Sequence, residues 1–81
     1  MKLTTLRDVP PWEWPEDAGA AILAVLHDRG AVDEDRLLAA ELAGDLVVMN
    51  DELAQALVAV LRDQEAATPL RARAAISLGP V

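Results

Sequence analysis

From residue 15 to residue 79 apolar positions return at intervals of three and four, with polar and charged residues between them. In the first run Ala18, Ala21, Ile22, Val25 and Leu26 form one stripe at helical period. Pro15 suits a first helical position, Glu16 and Asp17 put negative charge on the N-terminus, and Gly30 supplies a stop. Helix one is therefore expected over residues 15–29. Asp33 is the expected N-cap of helix two, over residues 34–46, where Leu38, Ala39, Leu42 and Leu46 share a face that Leu37, Ala40 and Ala43 widen. Val47, Val48 and Met49 make a short apolar link whose β-branched pair either ends that helix or carries it one more turn. Asn50 caps helix three, over residues 51–64, with Leu53, Leu57, Val60 and Leu61 as its stripe. Thr68 and Pro69 read as the cap and first position of helix four, which Gly79 and Pro80 stop after Leu78. No segment alternates with strand period, so the chain is all-α. Ahead of the helices, Pro10, Pro11 and Pro15 surround Trp12-Glu13-Trp14, and the backbone restrictions of proline predict an extended lead-in over residues 1–15.

The pattern also repeats. Residues 21–44 set against residues 56–79 give identities at Ala21/Ala56, Ala24/Ala59, Leu26/Leu61, Asp28/Asp63, Ala31/Ala66, Arg36/Arg71, Ala39/Ala74, Ala40/Ala75 and Gly44/Gly79, each pair 35 positions apart. Ile22/Leu57, Leu23/Val58 and Val25/Val60 are conservative pairs. A period of this size marks a solenoid, in which each helix pair buries its apolar face by stacking on a neighbour. Two repeats follow, about 16–46 and 50–79, in one helical domain spanning residues 16–81. Helix four has no following element, so Leu70, Ala74, Ala75 and Leu78 are expected to lie open. The expectation is a chain that begins a longer array, or one whose end another molecule covers.

Leu57 to Leu61, Asp63, Leu70, Arg71, Ala74, Ala75, Leu78 and Gly79 stand in the order of a HEAT-type repeat, in particular the short bacterial HEAT-like class first described in phycobilin lyases. The first unit keeps Leu26, Asp28, Arg36, Ala39, Ala40 and Gly44, but has Ala43 where the family carries leucine, and Asp45 to Asn50 lack the family's usual exit residues. The resemblance implies a curved α-solenoid of two HEAT-like pairs, with helices one and three outside and helices two and four lining a concave face where partners bind. It also implies that Arg36 and Arg71 pair with Asp28, Asp33 or Asp63, or with free helix-end carbonyls, as an arginine fork allows.

Composition narrows the function. Fourteen acidic against seven basic residues give a net charge of −7, which repels a phosphate backbone and disfavours nucleic acid, base excision on a HEAT-like scaffold included. The acids lie at helix ends and read as solubility and dipole capping, with a basic partner surface still open. There is no cysteine, no signal-peptide pattern and no apolar run long enough for a bilayer, so cytoplasmic residence is the default. With 53% hydrophobic residues and only two aromatic ones, Trp12 and Trp14, the core must be aliphatic. At 81 residues it is also small, burying only about 60% of the unfolded chain's surface.

Catalytic chemistry finds no constellation. His27 is the single histidine and reads as a helix-end residue, Asp33-Glu34-Asp35 lacks the glycine and terminal glutamate of a calcium loop, and Ser77 has no base near it in sequence. No cofactor or metal is expected. Candidate partner-binding residues are Trp12, Trp14, Glu41 and Arg73. The tryptophans either dock a partner or fold back as a cap over helix one, whose apolar stripe would otherwise stand in water. The expected function is a non-enzymatic protein-interaction scaffold, with self-association through the exposed repeat end as one route. The alternative is part of a phycobilin-lyase-like enzyme or lyase chaperone, for which Glu41 is the one inward acid.

Overall fold

A computed structural model describes residues 3–46 and 50–79. Its elements are α1 (Leu3–Arg7), a 3₁₀ turn (Pro11–Glu13), α2 (Ala18–His27), α3 (Asp33–Ala43), α4 (Asp51–Arg62) and α5 (Thr68–Leu78). Among the described residues there is no strand. The Val47–Met49 link and the Pro80 stop lie outside the described residues.

The four long helices fall where the apolar stripes predicted them, with boundaries moved by local chemistry. Pro15 does not open α2. Glu16 and Asp17 form a turn in which Ala18 N–H donates to Pro15 O at 3.0 Å, and the helix starts at Ala18. Its C-terminus is set by Asp28, extended at φ −86°, and Gly30 lies two residues on in the turn. Asp33 is the first residue of α3, not its cap; Val32 takes the cap position, and no side chain bonds there. Ala67 likewise precedes α5 in place of Thr68. Asn50 is the cap that holds, its Oδ1 accepting from Leu53 N–H at 3.2 Å.

α2 with α3 and α4 with α5 make two antiparallel hairpins, packed so that α2 lies on α4 and α3 on α5. The least dimension, 18 Å, is about two helix diameters. Ile22, Leu53, Leu57 and Leu70 are the largest side chains sealed in the resulting core, with Ala39, Ala40, Ala43 and Ala74 letting the helix axes approach. Thus Leu70 and Ala74, expected to lie open on the last helix, are buried, because α5 turns them onto the rest of the core and not away from it.

The lead-in is not extended. Leu3–Arg7 is helical and rests on α3 and α2, with Leu6 in the core at 2% exposure, and Pro11–Glu13 forms the 3₁₀ turn. Proline at the start of a turn satisfies its own restriction, so the Pro-rich composition marks helix beginnings here more than extended chain.

The 35-residue period is physical. Asp28 N–H donates to Val25 O at 3.2 Å, and Asp63 N–H to Val60 O at 3.1 Å. The carboxylate of Asp28 accepts from Gly30 N–H at 2.9 Å, and that of Asp63 from Glu65 N–H at 3.0 Å. Arg36 Nη2 donates to Leu26 O at 3.0 Å and Arg71 Nε to Leu61 O at 3.3 Å. Each repeat arginine therefore reaches back to the carbonyl left free at the end of the preceding helix. Asp28 and Asp33 are not their partners, and Asp63 takes Arg29 instead.

Candidate functional site

Three surfaces bear on function, and the first is the N-terminal cap. Trp14 Nε1 donates to Leu6 O at 3.0 Å and to Val9 O at 2.8 Å while its ring packs on the core. Its one donor is used inside the fold, as expected of a half-buried indole. Trp12, immediately on the other side of Glu13, is 84% exposed. The two tryptophans thus differ in environment, Trp14 tied into the fold and Trp12 exposed. Trp14 closes the edge of α2 and α3, and Trp12 stands free.

The second surface is the seam between α3 and α5. Arg73 Nη2 lies 3.3 Å from Glu41 Oε1. Ser77 Oγ donates to Ala40 O at 2.6 Å, one of the last carbonyls of α3, which have no in-helix partner. Gly44 lets the helices meet, since a Cβ there would come within 3.2 Å of Ser77 Oγ and 3.3 Å of Ser77 Cβ. Glu41, Arg73 and Ser77 are accordingly joined in one seam.

One period later the same three seam positions of α3 are Ala75, Ile76 and Gly79, on α5. Ala75 is exposed, Ile76 is 66% exposed, and a Cβ on Gly79 would meet nothing within 4 Å. With Pro69 and Ala72, also exposed, they form an apolar strip along one side of α5. The open end of the fold is this strip, displaced around the helix from the leucines that the apolar pattern nominated.

The third surface is a groove of about 790 Å³ between α2 and α4. Leu26, Ala54, Ala56, Val58, Ala59 and Val60 form its apolar wall, and His27, Arg29, Arg36, Arg62 and Asp63 gather where α2 and α4 end. The charges there are linked across the hairpins: Arg29 Nη2 meets Asp63 Oδ2 at 2.5 Å and the exposed Glu65 carboxylate at 3.7 Å. The hydrogen bond from Arg29, then the N–H of Glu65, holds the Asp63 carboxyl below its ordinary range, and the same carboxylate raises Arg29. Arg36 is 7% exposed, with its Nε buried and unpartnered and its Nη2 spent on Leu26 O.

Periodicity did not reveal this groove, because its cations come from three separate segments that meet only in the folded chain. The one local signal was an arginine, Arg36, embedded between the acidic start and apolar body of α3. Among the described residues no three metal-ligating side chains lie together, and Ser77 has no base beside it in its seam. No family model, curated protein or solved structure matches the chain.

Proposed function

We propose that this chain is a non-enzymatic protein-interaction module built from HEAT-like helix pairs, stacked as an α-solenoid, and that a partner's helix joins the stack on α5. One observation carries the reading. Ala75, Ile76 and Gly79 occupy on α5 the positions by which Ala40, Glu41 and Gly44 seat α5 on α3, and among the described residues no helix packs on them. The equivalence also specifies the chemistry of the incoming helix. Opposite Gly79 and Ala75 it needs a small residue, as Ser77 is in the existing seam; opposite Ile76 it needs an apolar side chain where α5 has Arg73, since an isoleucine replaces Glu41.

The lyase-like alternative draws on Glu41, and that carboxylate is committed to Arg73 at 3.3 Å. The depression it borders, beside Leu42 and Trp14, measures about 350 Å³. That is near the lower limit for sites that bury a ligand of drug size.

A peptide carrying residues 50–79 with Arg73→Leu supplies the required helix face. Titrated into the protein it should shift the amides of Ala72, Ala75, Ile76 and Gly79, and Ile76→Glu should weaken the affinity at least tenfold. Shifts elsewhere, or an Ile76→Glu protein that binds as well, would remove the α5 docking role. A dimer of the intact chain in light scattering that Ile76→Glu disperses would replace the partner helix with a second copy.

A further inference from the structure

Charge in this fold is sorted along the helix axes. The turns joining α2 to α3 and α4 to α5 lie at one pole, tied by Arg29 and Asp63, and there Arg29, Arg36, Arg62 and Arg71 are mixed with acids. The opposite pole holds the starts of α2 and α4, the ends of α3 and α5, and the N-terminal turn. Asp8, Glu13, Glu16 and Asp17 of the lead-in stand exposed there, joined by Asp45, Asp51 and Glu52 from between α3 and α4. Against them the described residues set Arg7, since Arg73 is engaged by Glu41, and among the described residues none of these carboxylates is ion-paired. The helix dipoles leave the sum unchanged, because two N-termini and two C-termini meet at this pole and their partial charges of about half a unit cancel.

Carboxylates at helix ends need no ligand, because solubility and capping account for them. Trp12 has no such account. It is the most exposed large apolar side chain among the described residues, and its frame is fixed. Glu13 N–H donates to Pro10 O at 2.9 Å and Trp14 N–H to Pro11 O at 3.2 Å, while the Trp14 indole pins the same turn to Leu6 O and Val9 O. Pro10 and Pro11 remove further backbone freedom on the other side. A partner that meets this ring therefore has little backbone to order. Carboxylates stand close by: Glu13 follows Trp12 in the turn, Glu16 lines a small hollow with Pro11, Trp14 and Pro15, and Asp17 precedes α2.

We propose that this corner docks an arginine-bearing segment of a partner protein, one guanidinium stacked on Trp12 and its neighbours paired with Glu13, Glu16 and Asp17. Indole offers a cation the most favourable of the aromatic faces. A guanidinium is planar, so it stacks on the ring and keeps its fork of N–H donors for carboxylates. A neutral apolar segment would cover Trp12 and leave the acids without counter-charge, and an anionic surface is repelled by them. The corner shares no residue with the α5 strip, so this contact stands or falls separately from helix docking there.

Tetra-arginine amide is the probe, with tetra-citrulline amide, similar in shape and uncharged, as the control. The readout is NMR of the two indole N–H groups and the backbone amides. Tetra-arginine should shift the Trp12 indole and the amides of Glu13, Glu16 and Asp17, and should move the Trp14 indole less, because that N–H is bonded inside the fold. Tetra-citrulline should bind at least tenfold more weakly. Trp12→Ala, which removes only an exposed side chain, should weaken tetra-arginine binding severalfold. Glu13→Gln, Glu16→Gln and Asp17→Asn together should weaken it at least tenfold. Binding unchanged by Trp12→Ala, equal binding of tetra-citrulline, or shifts of the same size at Asp33 to Asp35 would overturn the proposal. So would neutral phosphatidylcholine vesicles that move the Trp12 indole when tetra-arginine does not, which would assign the ring to a lipid surface.

Discussion

At the scale of single residues, function and fold are separated by what each polar atom is already bonded to. Trp12 and Trp14 are equivalent in composition, yet the indole N–H of Trp14 is divided between two carbonyls while Trp12 is 84% exposed. Gly44 and Gly79 are likewise equivalent by period and opposite in environment. Gly79 has φ +75°, a conformation glycine adopts without strain, and ends α5 facing open space. Gly44 has ordinary helical angles, φ −57° and ψ −30°, and is required for closeness instead. An alanine there would normally gain a few tenths of a kcal/mol from the unfolded state. Here its Cβ meets Ser77, which cannot retreat without losing its 2.6 Å bond to Ala40 O. Gly44→Ala is therefore expected to destabilise by about 1–2 kcal/mol, read as a lower denaturant midpoint. A midpoint equal to or above the wild type would show that α3 and α5 separate freely.

At the scale of elements, the two hairpins are one design used twice, and the turns are where they are tied together. Arg29 in the first turn bonds Asp63 in the second, so the repeat's two aspartates have diverged in use: Asp28 caps its own turn, and Asp63 does that and accepts an arginine. Because the folded carboxyl is held low, its stabilising contribution is complete above the ordinary aspartate range and is lost as pH falls below it through the folded value. Asp63 is half-buried, but Arg29 is largely exposed and salt screens the pair, so the effect on stability should be small. An NMR titration of Asp63 should give a value below the ordinary aspartate range, moving up toward it in Arg29→Gln and in about 1 M salt. The N–H of Glu65 should keep part of the depression in the Gln variant. An Asp63 titration unmoved by either change would mean the pair is not formed in solution.

At the scale of the whole molecule, 81 residues support about 4–12 kcal/mol of stability, so each sealed leucine matters. Leu57 is fully buried on α4, and Leu57→Ala should cost about 2–5 kcal/mol. Val32→Ala, at 62% exposure, should change stability by less than about 0.5 kcal/mol. Urea unfolding distinguishes them, and equal midpoints would contradict the placement of the core. Much of this architecture was legible from residue order. Periodic stripes located four helices and the 35-residue offset identified equivalent hairpins, because both are carried by the order of residues along the chain. The lead-in was misjudged because proline restricts backbone angles in the same way whether a chain is extended or beginning a helical turn. Three of the four helix starts slipped by one to three residues because a cap is decided by which N–H a side chain can reach. The groove was invisible, since Arg29, Arg36 and Arg62 become neighbours only when α2 lies on α4. The sequence by itself determined helical class, repeat length and the apolar face of each helix, all properties of local period. Tertiary structure alone decided that Leu70 is buried and Ile76 bare, that Glu41 and Arg73 engage each other, and that Arg36 is withdrawn from water with its Nε unpartnered, because burial and ion pairing depend on residues distant in the chain.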